Sequence, residues 1–250
     1  MTNPPRYGPV FFWGNAAAAW FGVLVSFALN ISGHYVDQVD PTKPTILGNT
    51  AGGIDTPLER FLDWITYFTI LSNILVAVVV TLLAVRPGLF IRQDGVGVLW
   101  RTLRLDGLLM ITITGIVYNL LLATGGKSGW DLVSNTMLHM VTPLVTLIVW
   151  IIAGPRGLVT ARVIGLSLLL PLLWAAFALI RGGIVGAYPY PFLDVSSNGL
   201  ASVLTFILAI VIVAVCLAFV LMGIDAALRA TMRISTTSQA STPPTEDSLT

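Results

Sequence analysis

The chain has 250 residues, of which 56% are hydrophobic and only 10% are charged, and its mean hydropathy is +0.87. Because soluble domains carry about 25% charged residues, this composition excludes a water-soluble globule. The formal net charge of +1 provides no electrostatic surface for nucleic acid, so no nucleic-acid partner is expected.

Six apolar runs are long enough to cross a bilayer, which takes roughly 20 residues per helix. They cover the ranges 12–32, 61–84, 105–124, 132–153, 163–181 and 199–223. None of them shows the polar–apolar alternation of a membrane β-barrel. The sequence therefore predicts an all-α fold, a polytopic bundle of six transmembrane helices formed by residues 1–225.

Two segments outside these runs are predicted not to be membrane helix. Residues 33–57 form a long loop rich in Pro, Thr, Gly and Asp, which is long enough to cover one mouth of the bundle. Residues 226–250 form a tail that is rich in Ser, Thr and Pro from 234 onward, and we expect it to be largely disordered.

Basic residues near the ends of the runs predict the orientation of the bundle. With the N-terminus inside, nine arginines flank the inner side, whereas only four lysines and arginines flank the outer side. This excess favours both termini in the cytoplasm and places the 33–57 loop outside.

Polar residues in the predicted helices fall on single helical faces. In the second helix they are Asp63, Thr66, Thr69 and Asn73; in the third they are Thr112, Gly115 and Asn119, with Tyr118 adjoining; in the fourth they are Asp131, Asn135, His139, Thr142 and Thr146. A polar side chain in lipid is costly unless it faces other helices or a cavity. The faces therefore predict one shared polar pocket.

Thr69 and His139 are predicted to lie at the same depth. They follow the outer ends of their helices by nine and eight residues, which is roughly 12–14 Å at 1.5 Å per residue. His139 is the only histidine within a predicted span, and histidine can act as a general base near neutral pH. Pro143, four residues later, cannot donate a hydrogen bond to the His139 carbonyl. We expect an opened backbone at this point, in the outer half of the membrane.

Three short motifs, Tyr67–Asn73, Ile113–Asn119 and Leu138–Pro143, resemble a bacterial six-transmembrane family that is distantly related to the androgen-induced proteins and the androgen-dependent TFPI-regulating protein. The resemblance extends from about residue 10 to 225. It implies an intramembrane hydrolase in the bacterial plasma membrane. The eukaryotic relatives cleave fatty acid esters of hydroxy fatty acids with a threonine nucleophile and a histidine, and these positions match Thr69 and His139.

The resemblance also limits what the substrate is expected to be. The second helix continues with Ser72 and Asn73, which is not expected in the animal proteins, so the resemblance carries over the residues more securely than the lipid class. The expected substrate is therefore a fatty acid ester of a hydroxy fatty acid or a similar lipid ester. Candidates for binding the developing oxyanion or positioning the substrate are Asn73, Tyr118, Asn119 and Asn135.

Two other functional classes fit the same polar pocket less well. A non-catalytic transporter or lipid-binding membrane protein is the alternative, although no internal repeat of the transporter type is present. A haem protein would depend on His34 and His139, which lie at different depths. The single cysteine, Cys216, leaves no CxxC metal site. We therefore expect membrane lipids as partners and no cofactor or metal.

Overall fold

The computed structural model describes residues 8–35, 46, 56–123 and 126–240, and these residues form helices and no strand. The α-helices in chain order are α1 (Gly8–Ile31), α2 (Pro57–Thr66), α3 (Phe68–Val85), α4 (Gly88–Ile91), α5 (Gly95–Val117), α6 (Gly129–Thr136), α7 (Thr142–Ala153), α8 (Ala161–Ser167), α9 (Leu169–Val185), α10 (Val195–Asn198) and α11 (Leu200–Ala240). Three short turns complete the secondary structure: the π turns Tyr118–Leu122 and Met137–Val141, and the 3₁₀ turn Pro191–Leu193.

Six helical stretches of the described chain are long and apolar enough to cross a membrane, which confirms the predicted six-helix bundle. We call them spans 1 to 6, and they cover Gly8–Ile31, Phe68–Val85, Gly95–Leu122, Gly129–Ala153, Ala161–Val185 and Leu200–Met232. Span 4 combines α6, a π turn and α7, and span 5 combines α8 and α9. Span 6 is the least buried, because it packs along the outside of the bundle with most of its surface facing away from the other helices.

The second predicted helix, 61–84, is not continuous, which corrects the sequence-based prediction. α2 ends at Thr66 and α3 begins at Phe68, because the intervening Tyr67 has an extended backbone (φ −72°, ψ 130°). The Thr66 carbonyl at the break accepts a hydrogen bond from Trp174 Nε1 at 2.8 Å. The polar face predicted for one helix is therefore divided between two.

The two π turns lie opposite each other in spans 3 and 4. Pro143 has no N–H to return to the His139 carbonyl, so the backbone widens around Met137–Val141, as expected from the sequence. Gly115 permits the close approach of span 3, since a Cβ there would lie 3.2 Å from Pro143 Cβ. Such π turns are frequent at functional sites.

Small residues allow α1 to pack closely against its neighbours. A Cβ at Gly22 would lie 3.0 Å from the Cβ of Met137, so only glycine fits this contact without a shift. One turn further, Ser26 Oγ accepts a hydrogen bond from Trp64 Nε1 at 2.9 Å. These contacts hold α1 against α2 and span 4, and so fix the walls of the site described below.

A second buried polar cluster lies at the opposite end of the bundle; we call it the arginine network (Arg104, Arg156 and Asp225). Arg156 is fully buried and donates to the Trp150 carbonyl at 2.7 Å, near the end of α7. Asp225 Oδ2 accepts from the backbone N–H groups of residues 157–159 at 2.8 to 3.4 Å. Arg104 donates to a carbonyl of the same loop at 3.2 Å. The network therefore ties α5, α7 and α11 to one connecting loop.

The last helix is longer than predicted. α11 continues to Ala240, so residues 226–240 of the predicted tail are helical rather than disordered. The sequence contains no Gly or Pro between 224 and 242, and nothing therefore interrupts the helix after the membrane span. Residues 241–250 lie outside the described residues. The same holds for most of the predicted 33–57 loop.

Candidate functional site

Thr69 and His139, which come from different spans, are in direct contact. Thr69 Oγ1 lies 3.3 Å from His139 Nε2. Thr69 is the second residue of α3, directly after the break at Tyr67, and His139 lies in the middle of the π turn of span 4. Both side chains are largely enclosed by the bundle. The predicted meeting of a hydroxyl and an imidazole from separate spans is thus observed.

The backbone of Asn135 determines which nitrogen of His139 carries the proton. His139 Nδ1 lies 3.0 Å from the Asn135 carbonyl oxygen, which can only accept a hydrogen bond. Nδ1 must therefore hold the proton, and the lone pair of Nε2 points at Thr69. Asn135 was predicted to act through its side chain. It instead orients the ring through its carbonyl, while its side chain lines the cavity above.

Tyr118 fixes the plane of the imidazole. Its ring stacks on the His139 ring with centroids 3.8 Å apart and planes 20° apart. Tyr118 begins the π turn of span 3, which brings the phenol ring across to span 4. Of the predicted positioning candidates, Tyr118 is therefore in contact with the pair.

Tyr190 is part of the site and was not recognised in the sequence. Its hydroxyl lies 3.1 Å from Thr69 Oγ1, and it accepts a hydrogen bond from the Thr69 backbone N–H at 3.2 Å. Burial raises the pKa of the Tyr190 phenol, so the hydroxyl keeps its proton. The only sequence signal was Tyr-Pro-Tyr-Pro at 188–191, which reads as a turn between spans.

Asn73 and Asn119 support the site rather than face it. Asn73 Nδ2 donates to the Thr69 carbonyl at 2.8 Å and to the Leu138 carbonyl at 3.2 Å. Asn119 Nδ2 donates to the Gly115 carbonyl at 2.8 Å and to the His139 carbonyl at 3.4 Å. Both amides thus satisfy carbonyls freed by the π turn of span 4. Their donors are occupied and do not serve an oxyanion in this arrangement.

Two cavities meet at Thr69. The first, which we call the polar mouth, is lined among others by Tyr35, Lys127, Asp131, Ser134, Asn135 and His139. The second, which we call the apolar groove, runs between α5, α9, α11 and the turn before α10, and its walls include Leu109, Ile113, Trp174, Ala175, Phe192 and Ala214. Thr69, Tyr118, Leu122 and Tyr190 line both cavities. The Thr69–His139 pair therefore lies where a cavity with polar walls joins a cavity with apolar walls.

The rim of the polar mouth is held together by ionisable groups. His34 Nε2, just after α1, lies 2.9 Å from Asp131 Oδ2 at the start of α6. Tyr35 also bonds Asp131, and burial together with that carboxylate raises the pKa of the Tyr35 phenol. These contacts join spans 1 and 4 beside the entrance.

Several other residues of the predicted polar faces bond to another helix or to their own helix instead of lining the site. Asp63 of α2 pairs with Arg181 of α9 at 2.5 Å. Thr146 donates to Asn15 Oδ1 of α1 at 3.1 Å, and Thr112 donates to a carbonyl of its own helix. Such internal bonds are the usual fate of polar side chains in membrane helices. Helical periodicity therefore identified more residues than the site contains.

Fold and composition define a multi-pass helical membrane protein, in which a threonine–histidine pair lies between two cavities. No protein-family model, curated protein or solved structure matches this chain. The family resemblance of the three motifs therefore stays a prediction.

Proposed function

We propose that the protein is an integral-membrane hydrolase that cleaves acyl esters of lipids, with Thr69 as nucleophile and His139 as general acid and base. The observation that carries the proposal is the 3.3 Å contact between Thr69 Oγ1 and the unprotonated Nε2 of His139. A hydroxyl is a weak nucleophile until a base removes its proton. An imidazole nitrogen within hydrogen-bond reach is such a base.

The reaction proceeds in two halves. Thr69 Oγ1 attacks the ester carbonyl carbon while its proton passes to His139 Nε2. The tetrahedral intermediate then breaks its bond to the alcohol oxygen, which takes the proton from His139, and the acyl group stays on Thr69. Water attacks this acyl-threonine and gives one proton to His139, which returns it to Thr69 Oγ1 as the acid leaves. Each turnover consumes one water and releases one carboxylic acid and one alcohol.

Tyr190 is the group best placed to stabilise the oxyanion. Its oxygen accepts from the Thr69 backbone N–H at the start of α3, so its own proton is available to another partner. In the resting state that partner is Thr69 Oγ1; in the transition state it is the carbonyl oxygen that acquires charge beside Oγ1. The positive end of the α3 dipole favours negative charge at the same place.

Three observations support a lipid as the substrate and the membrane as the place of reaction. The pair is reached from an apolar groove as well as from the polar mouth. The spans surround it, so an ester already embedded below lipid headgroups enters without leaving the bilayer. The motif resemblance adds fatty acid esters of hydroxy fatty acids or similar lipids as the class. We place the protein in the bacterial plasma membrane, with both termini cytoplasmic and the mouth facing outward.

The test is hydrolysis by the purified protein in detergent or lipid nanodiscs. We expect release of nitrophenol from p-nitrophenyl acyl esters and covalent labelling of Thr69 by an alkyl fluorophosphonate, located by mass spectrometry. Thr69→Ala and His139→Ala should each lower kcat by about 10³- to 10⁴-fold, because each removes a reacting group. Thr205→Ala is the matched control, since Thr205 is exposed on α11 and bonds only a carbonyl of its own helix.

Two results would contradict the proposal. Turnover equal to that of the unmodified protein in both the Thr69→Ala and His139→Ala variants would contradict the assigned chemistry. A purified protein that retains bound lipid but hydrolyses no ester and forms no adduct would instead support the non-catalytic lipid-binding or transport function.

A further inference from the structure

The apolar groove and the polar mouth approach Thr69 from different directions and differ in what they can hold. No charged side chain lines the groove within the described residues. The mouth is lined by Lys127 and Asp131 together with several hydroxyl and amide groups. Because an unpaired polar group is costly in an apolar site, the acyl part and the alcohol part of an ester cannot exchange places between the groove and the mouth at equal free energy.

The few polar side chains in the groove have their hydrogen bonds satisfied inside the protein. Thr114 Oγ1 pairs with Ser72 Oγ at 3.0 Å, and Ser167 Oγ donates to the Ile164 carbonyl at 2.9 Å. Beyond the level of Thr69, the groove therefore presents hydrocarbon surface to its contents. A ligand that extends into it gains by burying methylene groups and gains nothing from polar ones.

The groove extends along α5 and α11 away from Thr69. Along α5 its wall extends from Val117 to Leu109, a helical length of about 12 Å. The same face of α11 contributes residues four and seven positions apart, ending at Ala214. Ala175 and Ala214 are small and buried, and they leave the deep part of the groove open.

We infer that the apolar groove binds the hydrocarbon chain of the acyl group, while the polar mouth receives the alcohol part of the ester and the hydrolytic water. The inference rests on the proposed function and adds the direction in which the substrate lies. The carbonyl carbon sits at Thr69, with the acyl chain toward Ala214 and the leaving alcohol toward Asp131. The substrate class is thus an ester whose acyl chain is hydrocarbon and whose alcohol part tolerates polar groups.

Two series of esters separate the two cavities. In the first series the acyl chain is lengthened on a constant p-nitrophenol; in the second the alcohol is lengthened on a constant butanoyl group. For the first, kcat/KM should rise by about fourfold per methylene until the groove is full and then level off or fall. For the second, the same quantity should change little with length.

Substitution of the deep end of the groove provides the structural test. Ala214→Phe should shift the optimum of the acyl series toward shorter chains and leave the alcohol series unchanged, since the added ring occupies only the groove. Val213→Phe is the matched control, because Val213 is adjacent in the chain but half exposed on the outer surface of α11. Ala175→Leu supplies a second, smaller obstruction if the Ala214→Phe variant does not fold.

The outcomes distinguish this inference from the proposed function. Thr69-dependent hydrolysis with a flat acyl series, or with a shift in the alcohol series for Ala214→Phe, would overturn the orientation and keep the hydrolase. Hydrolysis that does not depend on Thr69 would overturn the hydrolase itself. An acyl optimum that shortens in Ala214→Phe and stays put in Val213→Phe is the supporting result.

Discussion

The bundle buries polar groups at both ends, and the two clusters are built differently. In the arginine network, Asp225 receives three backbone N–H groups, and Arg156 donates to carbonyls at the end of α7. In the Thr69–His139 site, only one nitrogen of the imidazole is bound to backbone, and the other faces a hydroxyl at the junction of two cavities. The hydrogen bonds of the arginine network hold helices and a loop together, whereas those of the Thr69–His139 site leave reactive atoms accessible from the cavities.

The difference shows that burial of a polar group in a membrane bundle does not by itself indicate function. Arg104, Arg156 and Asp225 are at least as buried as Thr69, yet their partners are mostly backbone atoms of one loop. What distinguishes the site is a hydroxyl in contact with an imidazole nitrogen at the junction of two cavities. Substitutions in the two clusters should therefore affect different measurements.

The largest expected effect is the loss of turnover in the site. Thr69→Ala and His139→Ala should each lower kcat by about 10³- to 10⁴-fold, and the double variant should lose little more, because nucleophile and base act as one unit. The melting temperature should stay near that of the unmodified protein, since the Thr69 backbone N–H keeps its hydrogen bond to Tyr190 in the alanine variant. Initial-rate kinetics and thermal unfolding in the same detergent measure both quantities. Losses that multiply in the double variant would separate the two residues into independent roles.

Tyr190→Phe should have the next largest effect. Removal of the hydroxyl takes away one donor to the oxyanion, which costs about 10²- to 10³-fold in kcat while KM changes little. The ring contacts with Tyr67 and Phe192, at 5.5 and 5.2 Å, are retained in the phenylalanine variant. Tyr188→Phe, in the same loop, is the control and should keep its turnover. Equal losses in both variants would indicate a structural role for the loop rather than a donor at position 190.

Asp225→Ala, in the arginine network, should lower the stability of the protein and leave kcat unchanged. The backbone N–H groups of residues 157–159 would lose their acceptor, which should lower the free energy of unfolding by about 3 kcal/mol. Asp225→Asn keeps one acceptor oxygen and should lose less. At a temperature where the variants are folded, kcat per folded molecule should be unchanged, since the network lies about 20 Å from the site along α5. A large fall in kcat without a fall in melting temperature would erase the distinction between the clusters.

The sequence predicted those parts of the fold and site that follow from local composition. Long apolar runs indicate membrane helices, because lipid offers no hydrogen bonds to the backbone and a helix satisfies its own. His139 and Thr69 were identified because an ionisable group within a span is energetically costly and therefore indicates a functional site. No Gly or Pro adjoins Tyr67 to indicate the break between α2 and α3. The Thr66 carbonyl freed by this break accepts a hydrogen bond from Trp174, which lies 107 residues after Tyr67 in the chain. Tyr190 lies further still along the chain, so its place above Thr69 is set by packing.

The burial of the charged residues in the arginine network also could not be predicted from the sequence. Arg104 and Arg156 are typical of basic residues flanking spans, whereas the fold buries both: Arg104 donates to a carbonyl 51 residues away, and Arg156 donates to carbonyls at the end of the preceding helix, α7. Asn73 and Asn119 illustrate the converse, because their polar character and helical face suggested substrate contact. Each amide bonds one carbonyl of its own helix and one carbonyl of the π turn of span 4, and that π turn is a local geometry that residue spacing does not encode.

Pro143→Ala should have the smallest effect and tests how the site holds its open geometry. An alanine supplies an N–H that competes with Asn119 for the His139 carbonyl, now 3.4 Å from the amide, and draws the π turn toward a regular α-helix. A regular turn moves the imidazole by a fraction of an ångström relative to Thr69, which should lower kcat/KM by about tenfold or less. Melting temperature should not fall, because the helix gains a backbone bond. Pro87→Ala, at an exposed turn before α4, should change neither quantity. A higher melting temperature together with a lower kcat/KM would show that Pro143 keeps the site open and lowers the stability of the helix. Unchanged kinetics would instead indicate that Gly115 and Asn119 maintain the turn.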